Sequence, residues 1–129
     1  MGSIPPYLSI IVPTYNEALN IPVLAWLINR TLEKYPVSYE LIIVDDASPD
    51  GTAKVCRGLA QHWPSLPIRV LSRPSKLGLG SAYLHGIEAE GGARGEFVLL
   101  LDADLSHHPK YIPMFIEKQK TTRCDVVTG

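Results

Sequence analysis

Short apolar runs of strand length alternate along the chain with segments whose apolar residues repeat at helical spacing. No other feature constrains the fold as strongly. LSIIVP (Leu8 to Pro13) and YELIIVDD (Tyr39 to Asp46) are β-branched and almost uninterrupted by polar residues, as strands are. Ile68 to Leu71, Glu96 to Leu101 and Asp125 to Thr128 read as further strands. From Glu17 to about Tyr35, Leu24, Leu27, Ile28 and Leu32 recur with a helical period, and Pro22 is tolerable because it falls near the start. Thr52 to Trp63 sets Val55, Leu59 and Trp63 on one face. Gly80 to about Glu90 sets Leu84 and Ile87 on one side, and Lys110 to Lys120 stacks Ile112, Phe115, Ile116 and Gln119.

The predicted order is βαβαβαβαβ, the order of a parallel sheet with helices covering both faces. Right-handed crossovers put the carboxyl end of every strand on one edge, outside which open α/β sheets bind their ligands. The unusual polar residues fall there. Tyr15 to Glu17 follow the first strand, Asp45 and Asp46 end the second, Arg73 to Lys76 follow the third, and Asp102 to Asp104 follow the fourth. With 129 residues the chain fits one domain, and 12 Lys and Arg against 13 Asp and Glu leave no basic footprint for nucleic acid and no polybasic membrane anchor. Cys56 and Cys124 form no CxxC or Cys/His pattern, so buried free thiols in a reducing compartment are expected. No apolar run approaches the roughly 20 residues of a spanning helix, and Met1 to Pro6 lacks the apolar core of a signal peptide, so a soluble, cytosol-facing chain is expected.

The stretch FVLLLDADLSHHP ends a buried strand in two carboxylates one residue apart. Unpaired carboxylates at the rim of a core are costly and call for a cation. Asp102 and Asp104 reach one hard cation if the backbone turns between them, leaving the remaining positions to water or phosphate oxygens, as Mg²⁺ or Mn²⁺ beside a diphosphate prefers. The competing reading has Asp104 capping a turn and Asp102 solvated. Asp45 and Asp46 point to opposite faces of their strand, so one of them, Asp46, is expected to accept hydrogen bonds from a nucleoside. Asp50 reads as the cap of the following helix. In PTYNE, Tyr15 and Glu17 suit a base and a ribose, and equally suit a helix start. The GxG of RPSKLGLGSAYLHG lacks a dinucleotide fingerprint, and leaves Arg73 and Lys76 beside a helix start either as phosphate contacts or as solvated cations. His107 and His108 are adjacent and lack the spacing of metal ligands. They read as loop residues, with His107 a candidate for a contact behind the acids.

IVPTYNE, VDDASPDGT, KLGLGSAYLHG and LLLDADLSHHPKYIP, in this order and spacing, closely resemble the family 2 glycosyltransferases, and within them the dolichol-phosphate mannosyltransferase catalytic subunits. The resemblance spans Leu8 to Gly129. It implies the nucleotide-binding half of a GT-A fold, a Rossmann-like, mostly parallel sheet flanked by helices, over residues 8–129 after an amino-terminal extension at 1–7. It also implies metal-dependent transfer of mannose from GDP-mannose to dolichyl phosphate, with inversion, on the cytosolic face of the endoplasmic reticulum. Carried over by motif, Pro13, Tyr15, Glu17, Val44 and Asp46 would line the GDP site, and Asp102 and Ala103 would meet the sugar nucleotide. Asp102 and Asp104 would be the catalytic acids and hold Mg²⁺ or Mn²⁺. Some relatives have Gln at Ser106, which would then be a weak ligand, direct or through water. The family's catalytic domain runs on past the position matched by Gly129, through basic residues that bind acceptor and donor phosphates and amphipathic segments that approach the membrane. The GT-A domain is therefore expected to be incomplete at its carboxyl end, with membrane anchoring left to a terminal span or to small partner subunits. The alternatives are a nucleotide-sugar-binding module without turnover and a related polyprenyl-phosphate or UDP-sugar transferase.

Overall fold

A computed structural model describes residues 4–127. The strands are β1 (Leu8–Thr14), β2 (Tyr39–Asp46), β3 (Ile68–Arg73) and β4 (Phe97–Leu100). The helices are α1 (Asn20–Glu33), α2 (Thr52–His62), α3 (Leu79–Glu88) and α4 (Ile112–Thr122), the last preceded by a 3-10 turn at Pro109–Tyr111. All strand pairs are parallel and their spatial order is β3-β2-β1-β4. That order makes β1 and β2 the centre, which is why their runs carry almost no exposed residue.

Side chains alternate across a strand, so the register sorts them into two faces. Ile10 and Val12 of β1 pair with Leu41 and Ile43 of β2, and with Leu24, Ile28, Cys56, Ile112 and Ile116 they form the larger core under α1, α2 and α4. Ile11, Ile42 and Val44 point the other way, to a smaller cluster under α3 through Ala82.

Three expectations are corrected. Leu84 and Ile87, the apolar pair expected to face inward, are exposed, and α3 turns Ala82 and Gly86 to the sheet instead. The reason is proximity: a Cβ built on Gly86 would lie 2.6 Å from Ile11 Cγ2, a separation that only glycine permits. Helices cover both faces only over the centre of the sheet. On α3's side, Val98 and Leu100 of the edge strand β4 remain 39% and 46% exposed. The expected fifth strand also fails over its described part: Asp125 to Val127 carries no strand pairing, while Thr128 lies outside the described residues.

At the amino-terminal end of the sheet, buried Glu40 ties the strands together. It accepts from Ser9 Oγ at 2.6 Å and from the Arg94 N–H at 2.7 Å, and it pairs with Arg69. Burial alone would raise this carboxyl, but the hydrogen bonds from Ser9, Arg94 and Arg69 outweigh it and hold the pKa below the ordinary value. No helix among the described residues is long and apolar enough to cross a membrane.

Candidate functional site at the carboxyl edge

The same alternation decides which acids meet at the opposite edge. Asp46 is the register partner of Arg73, and both lie on α3's face; Asp45 pairs with Thr14 and faces the other way. Arg73 grips Asp46 with both arms, Nε to Oδ1 at 2.6 Å and a terminal nitrogen to Oδ2 at 2.7 Å, in a pair almost wholly shielded from water. The guanidinium continues into α3 by donating to Ser81 Oγ at 2.7 Å and to the Gly78 carbonyl at 3.1 Å. The Leu77 N–H donates to Asp46 Oδ2 at 3.3 Å. A buried charge needs such saturation to be tolerated, and here it fastens the glycine-rich loop to the end of β2. Asp45 instead accepts from Thr14 Oγ1 at 2.8 Å and from both the N–H and the hydroxyl of Ser48, which turns the chain after β2.

The first two rim loops are laced together. Successive N–H groups of Asn16, Glu17 and Ala18 donate to Ser48 Oγ, Thr52 Oγ1 and Asp50 Oδ2 at 2.9, 3.1 and 3.1 Å. Asp50 also receives the Thr52 N–H at 3.0 Å, so it braces PTYNE and the first residue of α2, although the N-cap position is Gly51 and not Asp50 as the sequence suggests. The Thr52 hydroxyl first, then the Ala18 and Thr52 N–H groups, hold its carboxyl below the ordinary range. Asn16, Ala47 and Leu105 adopt left-handed backbone at φ 57°, 54° and 66°, all in loops at this edge. For alanine and leucine that conformation costs on the order of 1–2 kcal/mol each, and such strain concentrates at functional sites.

After β4 the chain bends through the acids. Ala103 is buried in the large core and acts as the hinge, while Asp102 and Asp104 on either side reach solvent. Asp102 Oδ1 accepts from the Tyr83 hydroxyl of α3 at 2.9 Å, and His107 Nδ1 stands 3.8 Å from Oδ2. Burial first, then the Asp102 carboxylate, push the Tyr83 phenol upward, so it remains a donor. Asp104 Oδ1 accepts from the Ser106 N–H at 3.0 Å, and the Ser106 hydroxyl and N–H together keep the Asp104 carboxyl below the ordinary range. His108 turns away from the acids to cap the 3-10 turn by accepting from the Lys110 N–H at 3.0 Å.

Across the edge, Lys76 Nζ sits 4.4 Å from the centroid of the Tyr15 ring, so the loops after β1 and β3 meet as expected. Glu17 is half-buried and accepts from Asn20 Nδ2 at 2.7 Å. Pro13 lies at the end of β1. Val44 is wholly buried under α3, so its side chain forms the floor beneath the site and does not line a cleft. Asp46 is 6% exposed, with one Oδ1 lone pair left by the guanidinium.

Arg73 is corrected from a candidate phosphate cation to the buried partner of Asp46. The pairing was not legible in the sequence, because it depends on the register that sets Arg73 of β3 opposite Asp46 of β2. Tyr83 was not legible in the sequence, because nothing in KLGLGSAYLHG marks a tyrosine whose hydroxyl reaches the acid beyond the fourth strand. No group of three or more His, Cys, Asp or Glu side chains able to hold a metal occurs among the described residues. Two hard oxygen donors at the bend still fit Mg²⁺ or Mn²⁺, which take one or two carboxylates and complete their shell with water and phosphate oxygens.

Comparison with known proteins gives the family and the fold. Residues 9–129 match the family described as glycosyl transferase family 2. The chain is 41% identical over 120 residues to the undecaprenyl-phosphate mannosyltransferase of Micrococcus luteus, covering 92% of this chain and 46% of that protein. It is 38% identical over 112 residues to the dolichol-phosphate mannosyltransferase of Pyrococcus furiosus, covering 87% of this chain and 30% of that protein. The chain thus spans less than half the length of either curated relative. Its fold is similar to the mannosyltransferase PcManGT of Pyrobaculum calidifontis, solved in complex with GDP-Man and Mn²⁺, with a TM-score of 0.61 and 30% identity over 79% of this chain and 28% of that one. With its parallel, helix-flanked sheet of GT-A type and a family match over nearly its whole length, the chain belongs to glycosyl transferase family 2.

Proposed function

We propose that residues 8–129 form the nucleotide-sugar-binding part of a metal-dependent mannosyltransferase that moves mannose from GDP-mannose to dolichyl phosphate, with inversion. One observation carries the reading: the Asp102–Asp104 bend stands at the same edge, and against the same helix α3, as the Asp46–Arg73 pair that anchors the glycine-rich loop. The similarity to two polyprenyl-phosphate mannosyltransferases and to a protein solved with GDP-Man and Mn²⁺ supports the donor, the acceptor class and the metal.

Asp102 and Asp104 would hold Mg²⁺ or Mn²⁺, which when bound supplies positive charge against the developing diphosphate leaving group. Ser106 serves that site through Asp104, whose carboxylate it keeps ionised and oriented. Tyr15 flanks the guanine ring, and Lys76, now stacked on Tyr15, is free to swing to a phosphate oxygen when that ring is covered. Asp46 takes one ribose or base donor through the Oδ1 lone pair left open, Glu17 takes another, and Pro13 and Ala103 offer backbone to the donor. The acceptor needs little help from a base, because a phosphate monoester with a second pKa of about 6 is mostly ionised at neutral pH. Such an acceptor sits in a lipid bilayer, so the protein would work at the cytosolic face of the endoplasmic reticulum membrane, held there by further chain or by small anchoring subunits.

Thermal shift tests the donor. GDP-mannose with Mn²⁺ at about 100 times its dissociation constant should add about 2.7 kcal/mol of stability. A larger shift from UDP-sugars overturns the guanine reading. Metal-dependent GDP binding without mannosyl transfer to dolichyl phosphate would instead favour a binding module without turnover.

A further inference from the structure

Tyr83 touches an acid of the proposed metal site from outside the loop that carries it. Its ring packs against the cluster of Ile11, Ile42, Val44 and Ala82, and its hydroxyl donates to Asp102 Oδ1 at 2.9 Å. Two independent contacts fix the helix from which it reaches. Gly86 lets α3 sit directly on Ile11 and Val44, and Ser81 is held through Arg73 to Asp46. Asp102, by contrast, belongs to no strand or helix, and its side chain is 37% exposed. An aspartate's terminal torsion is soft, so a loop carboxylate rotates unless a fixed donor selects one setting. Tyr83 is such a donor. Oδ1 faces the phenol, and Oδ2, with no donor among the described residues within hydrogen-bond distance, lies on the side of His107 and the bend.

We propose that Tyr83 is a positioning residue for the metal acid: it locks the Asp102 carboxylate so that Oδ2 is presented to the dication. This rests on the reading of the bend as a metal site. The choice of a phenol has a physical reason. A lysine or arginine would orient the carboxylate equally well but would repel the incoming cation, whereas a neutral hydroxyl orients it without opposing charge. The arrangement also links both acids to one rigid element, since α3 holds Asp46 through Ser81 and Arg73 and Asp102 through Tyr83.

The test is Tyr83→Phe, which keeps the ring and removes the hydroxyl. Mn²⁺ uptake in the presence of GDP is followed by the loss of the free-ion electron paramagnetic resonance signal, with GDP affinity without metal and the metal-free melting temperature measured alongside. Removing an outer partner of a ligand typically weakens metal binding by about 10- to 100-fold. The expected result is at least about a tenfold weaker Mn²⁺ dissociation constant, with metal-free GDP affinity and melting temperature unchanged. Mn²⁺ affinity within twofold of wild type overturns the positioning role alone. An equal loss of metal-free GDP affinity also overturns it, making Tyr83 a general support of the fold. Failure of the wild-type protein to take up Mn²⁺ overturns the metal reading and this proposal together.

Discussion

Gly86→Ala isolates the seat of α3, on which both acids depend. A Cβ at this position meets Ile11 Cγ2 at 2.6 Å, and Ile11 Cδ1 and Val44 Cγ2 at 3.2 Å each, against an ordinary carbon contact of about 3.5–4.0 Å. The closest atom is a branch methyl of a wholly buried, β-branched residue that cannot rotate away, so the helix must lift instead. Alanine gains about 1 kcal/mol of helix propensity over glycine, while overpacking a core costs about 1–3 kcal/mol. The net expectation is a loss of up to about 2 kcal/mol, or a melting temperature lower by up to roughly 7 °C. A lift of about 1 Å would also carry Tyr83 and Ser81, now 2.9 and 2.7 Å from Asp102 and Arg73, beyond good hydrogen-bond distance. Gly58 of α2 is the internal control, because a Cβ there meets nothing within 4 Å and Gly58→Ala should stabilise. Differential scanning calorimetry of both variants, with GDP titrated against each in Mn²⁺, gives the readout. A Gly86→Ala protein that is raised in melting temperature as much as Gly58→Ala refutes the close seating of α3 on β1 and β2.

Arg73→Ala leaves Asp46 buried without its partner and should destabilise by about 3–5 kcal/mol, a loss read by urea denaturation; a change under 1 kcal/mol would contradict the buried pair. The Glu40 carboxyl lies below its ordinary value of 4.5, so its contribution is complete above that pH and is lost as pH falls through the folded value. Glu40→Gln should therefore melt below wild type at neutral pH, with the gap closing as pH drops below 4.5, and a gap that persists into acid would contradict the network. Burial first, then Asp45, push the Cys56 thiol up to about 12, whereas Cys124 is half-buried. A chromogenic disulfide reagent should accordingly find one fast thiol per native chain, and two fast thiols would contradict the packing of α2.

The strands and the edge where the polar loops gather follow from sequence alone, because LSIIVP and YELIIVDD have no other way to bury every residue. The helix faces were less legible where small residues carry the contact. Hydrophobic spacing picks out Leu84 and Ile87 on α3, yet Ala82 and Gly86 allow the close approach, and neither registers as apolar signal. Register was hidden too. Nothing along the chain says that Asp46 stands opposite Arg73, so the arginine read as a free cation when it is half of an ion pair. Asp125 to Val127 has the composition of a strand, but pairing is decided by neighbours and not by composition, and these residues make no ladder. The place of the acid bend at the end of a buried run was legible, but its surroundings were not: Asp102 is 37% exposed and Asp104 is exposed and accepts from the Ser106 N–H, so the cost of burial does not by itself call for a cation there.

Calorimetry of GDP-mannose binding, with and without Mn²⁺, on wild type and Asp104→Ala tests the metal site most directly. Asp104 is exposed and bonded only to its own loop, so the substitution leaves the fold alone. Wild type should bind GDP-mannose more tightly when Mn²⁺ is added, and Asp104→Ala should bind it equally with and without the metal. A variant that keeps the wild-type response to Mn²⁺ would contradict the assignment of the bend as the place where the cation is held.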